Sequence, residues 1–445
     1  MAALLRGLCR AAVLGSVVLV LLLVSLLYDG RAAVYGRQRH GLITHQDGGK
    51  THDTLDLNEQ ECRATFPGLF DDIDASIAQG KFKFHKTDPD YKGLVQGRVL
   101  NNKLHILTTS PDTLPRILHQ RTAILSQIHR ALLTSPSALP NTYFAFTIND
   151  VPKNTSWGFA RPNKKSGHGG NTWIMPNFSG WTWAEPNLGC MDDILDRIAN
   201  IERAFESDLA RKDARVVWRG TPWFNPLGHP NLRKDLLKAT KGKHWADVAA
   251  LNTSNGLRIE DFCRYKYIVY TEGVTYSGRL PYHQACGSVL LMPPPEWLTT
   301  TAMLIKPIWA DDLLREFGVD GGRRRREDKG VSSIVTSYKN ANAVYVDPDF
   351  SNLGSVVEFL DRYPQVANRI AKNQRDLVVG GRYLSMGAET CYWRALIRGW
   401  SQGAVVDEVE WEDEAGERYE AWLMREVSST RDGTRGKTIN TSGAP

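Results

Sequence analysis

The chain has 445 residues, 42% of them hydrophobic and 23% charged. That ordinary globular composition excludes a disordered or fibrous protein and leaves room for one large or two medium cores. The formal net charge of +6 is inflated by one run, Arg323 to Arg326 in GGRRRREDKG, with no aromatic side chain interleaved, so it reads as a solvated loop and no nucleic-acid partner is expected.

Residues 11–28 are uncharged and apolar, interrupted only by Gly15, Ser16 and Ser25 and preceded by Arg6 and Arg10. The stretch can span a thin bilayer, and it ends in LYDGR rather than in a small-x-small cleavage site, so it predicts an uncleaved signal anchor. Arg31, Arg37 and Arg39 follow it, and the positive-inside rule alone does not orient it. Glycosylation sequons at Asn154, Asn177, Asn252 and Asn440 all lie downstream, which fits a lumenal body. Of six cysteines, Cys9 stands beside the anchor, and Cys62, Cys190, Cys263, Cys286 and Cys391 lie beyond it without any CxxC or metal-like cluster. Two disulfides and a spare thiol is the natural count, with a reduced cytosolic chain as the alternative.

After a polar stem, the folded body begins near Cys62. Helical spacing of Leu118, Ile124, Ile128 and Leu132 predicts a helix over 113–133. Residues 144–148 form a β-like run that stops at Asn149-Asp150-Val151-Pro152, and the glycine- and tryptophan-rich 157–183 is too irregular for regular structure. Met191, Ile194, Ile198 and Ile201 mark a helix over 190–210. A strand at 215–218 ends in Arg219-Gly220-Thr221. A strand at 267–270, a break at Gly273, a short helix opened by Ser277-Gly278-Arg279 and a strand at 288–292 follow. A strand at 343–346 and a helix over 353–363 come last. Strands alternating with helices predict an α/β fold with a mostly parallel sheet.

Residues 262–292, FCRYKYIVYTEGVTYSGRLPYHQACGSVLLM, have the layout of a phosphate-holding βαβ unit, in which anions meet helix N–H groups at strand ends. Arg279 would add a permanent planar cation there; an ordinary surface arginine is the other reading. Asp150 at a strand tip suits a general base in a cleft, or else a turn acid. Arg219 suits an anion ligand or a structural ion pair. Asp72-Ile73-Asp74, Asp88-Pro89-Asp90 and Asp347-Pro348-Asp349 match the Asp-x-Asp pattern that chelates a divalent ion, although loop acids fit too. His168 and His283 are lone histidines whose residue pattern favours no catalytic role.

VVWRGT at 216–221, together with CRYKYIVYTEGVTYSGRLPYHQACGS at 263–288, resembles glycosyltransferase family 90. TINDVP at 147–152, Trp181-Thr182-Trp183, Glu296-Trp297-Leu298, Asp349-Phe350-Ser351-Asn352-Leu353 and Cys391-Tyr392-Trp393 extend the likeness over roughly 62–396. The arginine-rich 307–341 departs from the family pattern. The resemblance implies two Rossmann-like domains in a GT-B-like arrangement: an acceptor-side domain over 61–200 and a nucleotide-sugar domain over 201–400. An anchor (1–29) and stem (30–60) would precede them, and a tail (401–445) would follow. It further implies inverting transfer from a UDP-sugar without a metal or other cofactor. Asp150 would be the catalytic base, Arg279 would hold the diphosphate with Gly273 and Ser277 shaping its loop, and Arg219 and Gly220 would line the donor pocket. Disulfides Cys263–Cys286 and Cys62–Cys391 are implied, leaving Cys190 free.

The expected donor is UDP-xylose, with UDP-glucose the alternative, because the two sugars differ only by a hydroxymethyl group and the chain ends in NTSGAP, without a retrieval tail. The acceptor would be a glycan or glycoprotein met by a type II Golgi membrane protein with a lumenal body. Two other readings stand beside this one: a Mn-dependent GT-A-type transferase using Asp347 and Asp349, and a non-catalytic membrane-anchored protein whose tryptophans stack on glycans.

Overall fold

A computed structural model of the chain describes residues 53–111, 114–163, 171–185, 187–319, 334–411 and 416–435. The predicted anchor, Asn440, His168 and the Arg323–Arg326 run lie outside the described residues. Among the described residues no helix is long and apolar enough to cross a membrane.

The first of two six-stranded sheets starts with the hairpin β1 (Leu94–Leu100) and β2 (Lys103–Thr109). Its two-residue turn, Asn101-Asn102, has both φ angles positive, at 51° and 59°, the conformation that lets a tight turn follow the twist of its strands. β3 (Thr142–Thr147) pairs antiparallel with β1, and the short β4 (Trp157–Gly158) and β5 (Trp173–Ile174) extend the sheet in parallel. The tryptophan-rich segment is therefore sheet edge, contrary to the sequence reading. Its strands are two residues long, too short to leave an alternation. Helix α1 (Pro115–Leu133) packs beside this sheet with Ile124, Leu125 and Ile128 buried.

Helix α2 (Met191–Ala204) leads into the second sheet. That sheet consists of β6 (Asp213–Gly220), β7 (Ala246–Ala250), β8 (Tyr265–Val269), β9 (Val289–Met292), β10 (Pro307–Trp309) and β11 (Ala343–Tyr345), all parallel, in the order β10-β11-β9-β8-β6-β7. Alternate residues feed two cores. Val216, Trp218, Tyr267 and Val269 face one, with helix α3 (Leu232–Thr240), while Val217, Ile268 and Tyr270 face the other, with α2 and the short α4 (Leu280–Ala285). The chain runs from β6 outward to β7 and then back across to β8. This reversal leaves a crevice at the carboxyl ends of β6 and β8, the place where open α/β sheets bind ligands.

Helices α5 (Leu353–Arg362) and α6 (Pro364–Arg375) cover the second sheet, but α7 (Met386–Gly403) belongs to the first. Trp393 and Trp400 of α7 are fully buried against Trp157, and Cys391 is bonded to Cys62. Arg394, also buried, bonds the carbonyls of Ala131, Leu57 and Leu55. β12 (Glu417–Arg418) then adds an antiparallel edge strand beside β2, followed by α8 (Tyr419–Arg435). Two features thus differ from the expected pair of parallel Rossmann-like units. The first sheet is mixed, because its hairpin forces antiparallel pairing. The C-terminal segment, expected to divide into donor domain and tail, returns to that sheet, because the buried stripe of α7 and its disulfide need partners there.

Candidate active site

The expected strand–loop–helix unit is present, with helix α4 only six residues long and Arg279 at its N-cap position. So short a helix lends little dipole, and any anion held here must be held by side chains. The preceding loop is tightly tied. Gly273 N donates to the Tyr276 carbonyl at 3.2 Å, and Ser277 N donates to Tyr270 Oη at 3.0 Å. A Cβ at Gly273 would stand 3.1 Å from the Tyr276 oxygen and 3.7 Å from Arg233 Nη2. Glycine here keeps open the space beside a second arginine.

Arg233, in the first turn of α3, went unnoticed in the sequence. It is 4% exposed; Nε donates to the Glu272 carbonyl at 3.0 Å and Nη1 to the Thr221 carbonyl at 2.9 Å, tying it to the ends of both β8 and β6. Arg279 Nη1 donates to the carbonyl of Arg219, also at the end of β6. Burial, with the charge of Arg279 second, lowers the Arg233 pKa to about 10; burial also lowers that of Arg279. At about 10 Arg233 remains a cation at neutral pH, as guanidinium groups in proteins do. Among the described residues neither has a carboxylate within ion-pair distance. Two guanidiniums at the ends of β6 and β8, that of Arg233 buried and that of Arg279 half-buried, without a counter-charge among the described residues make an unfavourable arrangement by themselves, and a dianionic ligand would relieve it.

Arg219 plays a different part. Its Nη2 donates to Asp247 Oδ1 at 2.6 Å, and its other nitrogens donate to the carbonyls of Trp218, Asp247 and Asn255. The side chain is thus held in a structural ion pair, and it is the backbone oxygen of Arg219 that meets Arg279. Gly220 lies against Trp218, whose ring would be 2.5 Å from any Cβ.

Asp150 stands beyond the end of β3 in an open cleft with Lys92, Arg116, Gln120, Asn149, Trp183, Glu185 and Tyr276 among its lining residues. Its side chain reaches solvent, yet the cleft walls desolvate it. That raises the carboxyl pKa above its ordinary value, and the charge of Arg116 opposes the rise. The loop 271–279 closes the same cleft: Thr275 Oγ1 donates to the Asp150 carbonyl at 2.9 Å, and Gly278 lies under the Trp183 ring. Asp150 and the arginine pair are thereby joined through the single loop 271–279.

The Asp-x-Asp candidates have local partners. Asp72 pairs with Arg161, Asp74 accepts two bonds of 2.8 Å from Arg63, and Asp88 accepts the Asp90 N–H. Asp349 accepts from the N–H and hydroxyl of Ser351 in a tight turn. His283 is 2% exposed and stacks on Phe262; burial holds its imidazole well below the usual pKa. Asn154 and Asn252 are exposed. Asn177 instead uses its side chain internally, accepting from Ser179 N and donating to Tyr276 Oη at 3.0 Å. Disulfides Cys62–Cys391 and Cys263–Cys286 form as expected, and Cys190 is free and exposed. Trp157, Trp173, Trp218, Trp297, Trp393, Trp400, Trp411 and Trp422 are buried, so most of the thirteen tryptophans are not available to stack on a glycan.

The second sheet thus carries, at its reversal point, two arginines without a carboxylate partner among the described residues, and the loop 271–279 links them to the cleft that holds Asp150. The sequence profile of Glycosyl transferase family 90 matches residues 58–309, more than half of the chain, and the chain belongs to that family. It is similar to Protein O-glucosyltransferase 1 of Bos taurus and of Homo sapiens, each 23% identical over 216 residues, and to that of Mus musculus at 22%. These matches take in 44% of this chain and 46% of each relative, so the chain spans about half the length of the curated relatives it matches.

Proposed function

We propose that the protein transfers a sugar from a UDP-sugar to an acceptor hydroxyl with inversion, on a GT-B-like arrangement of its two sheets. The observation that carries this is the pair Arg233, buried, and Arg279, half-buried, both bonded to carbonyls at the ends of β6 and β8 and with no carboxylate partner among the described residues. In the reaction Asp150 takes the proton of the acceptor hydroxyl as that oxygen bonds to the anomeric carbon. The bond from that carbon to the β-phosphate oxygen breaks, and its electron pair leaves with UDP. Negative charge grows on the diphosphate, where two guanidiniums already stand, and fixed cations in a desolvated site lower that barrier most. With arginines supplying this charge, the reaction as proposed needs no metal.

The relatives are named for glucose transfer to protein, and the chain's own sequence gave the expectation of xylose. Both sugars are carried into the test, as is a glycan or glycoprotein acceptor within the secretory pathway. UDP-xylose and UDP-glucose are incubated with the full chain without acceptor, and free UDP is measured. Slow hydrolysis of one donor is expected. No hydrolysis of, and no binding to, any UDP-sugar would refute the reading.

A further inference from the structure

The wall of the cleft around Asp150 carries cations that the transfer chemistry leaves unused. Lys92 and Arg116 line it, and both are exposed. Outside that lining, Lys153, three residues after Asp150, holds its ammonium 5.9 Å from the ring of Tyr91, the neighbour of Lys92. Among the described residues none of the three has a carboxylate within ion-pair distance. The contrast within α1 is informative: Arg121 and Arg130, on the same helix as Arg116, each pair with a glutamate, Glu426 and Glu389. Asp150 and Glu185 are the acids in the lining. Lys92 and Arg116 equal them in number within the lining, but one of those acids is the proposed base that must stay free for the acceptor, so Glu185 alone remains to offset the two cations.

We propose that this wall is an acceptor subsite for an acidic sugar, a ring bearing a carboxylate or sulfate next to the unit that receives the transferred residue. The inference rests on the transferase reading above and names the acceptor class for the same cleft. The rest of the lining favours a sugar over an acidic peptide. Trp183 and Tyr276 offer aromatic faces suited to C–H-rich sugar faces, while Gln120 and Asn149 offer amides suited to hydroxyl groups. Lysine and arginine ammonium and guanidinium groups would then bind the acid through charge-assisted hydrogen bonds.

The test uses the full chain with three acceptors: a mixture of hexuronate-containing oligosaccharides, the same mixture after carboxyl reduction, and an acidic serine peptide. A sulfated oligosaccharide arm separates sulfate from carboxylate as the source of charge. Transfer to the acidic mixture is expected to exceed that to its reduced form by about tenfold, the worth of one charge-assisted contact. Raising the salt concentration should shrink that preference, and Lys92→Gln with Lys153→Gln should bring it to within about twofold. Equal use of the two mixtures, a preference unchanged in the double variant, or transfer to the peptide alone would overturn the proposal. Donor hydrolysis by the unsubstituted protein, measured alongside, separates the two failures: hydrolysis without any transfer to acidic sugars defeats the subsite alone, whereas no hydrolysis defeats the transferase reading and the subsite with it.

Discussion

Thr275 Oγ1 donates to the main-chain oxygen of Asp150 at 2.9 Å, so the loop that carries the donor-side arginine also fixes the backbone of the proposed base. Thr275 is 1% exposed, and its hydroxyl has one clear task. Thr275→Val keeps the shape and removes the bond. Losing a buried hydrogen bond costs about 1 kcal/mol, or roughly fivefold, and the loss should fall on kcat, with UDP affinity unchanged in calorimetry. An equal loss in UDP affinity would show that the threonine serves the donor instead.

Arg233 and Arg279 should be separable from Arg219. Arg279→Ala and Arg233→Met are each expected to weaken UDP binding by about 2–4 kcal/mol, since each removes a charge from a desolvated anion site. The unsubstituted protein in UDP at a hundred times its Kd should gain about 2.7 kcal/mol of stability, a gain both variants lose in thermal melts. Arg219→Met should act chiefly on stability, because its guanidinium already serves Asp247.

The pH dependence follows from Asp150. Transfer needs the ionised carboxylate, and burial raises its pKa, so kcat/KM should fall on acidification at a pH above the ordinary carboxylate range. Lys92, Arg116, Glu185 and Tyr276 face it across the cleft, and Arg116 is the charge that opposes the rise. Arg116→Gln should therefore move the acid limb to higher pH, while Arg116→Lys should leave it near its original place. A limb that moves down, or not at all, in Arg116→Gln would show that another group controls it.

The two disulfides should differ in what they protect. Cys62–Cys391 closes a separation of 329 residues and Cys263–Cys286 one of 23, so chain entropy predicts stabilisation of about 6 and about 3 kcal/mol respectively. The second joins the segments flanking the Arg279 loop. Replacing its cysteines by serine should weaken UDP binding as well as lower Tm, whereas replacing Cys62 and Cys391 should act on Tm with little effect on UDP affinity in the protein that remains folded.

How far the site could be read in the sequence depended on whether its parts were contiguous. Gly273, Ser277 and Arg279 share one short strand–loop–helix stretch, so their association was legible before any tertiary structure. Arg233 was not, because NLRKDLLK reads as an ordinary amphipathic helix. Its signal lay in position: Leu232, Leu236 and Thr240 mark the buried face, and Arg233 shares it, a charge where an apolar residue is expected. Arg219 lies within β6, which runs on to Gly220, rather than after the strand as predicted, and only the pairing of β6 with β7 brings Asp247 to its side chain. The return of α7 to the first sheet depends on a contact across more than three hundred residues, which local periodicity does not carry. Asn177 matched a glycosylation sequon, yet the fold spends its side chain on Ser179 and Tyr276.

The proposed mechanism makes Asp150 the base and leaves the diphosphate to arginines alone. Its decisive test compares Asp150→Asn with the unsubstituted chain for UDP binding and for sugar transfer with and without EDTA. Expected are unchanged UDP affinity, transfer lowered by at least about a hundredfold in the variant, and no effect of EDTA on the unsubstituted protein. Transfer that survives Asp150→Asn and disappears with EDTA would contradict it and favour a metal-dependent enzyme.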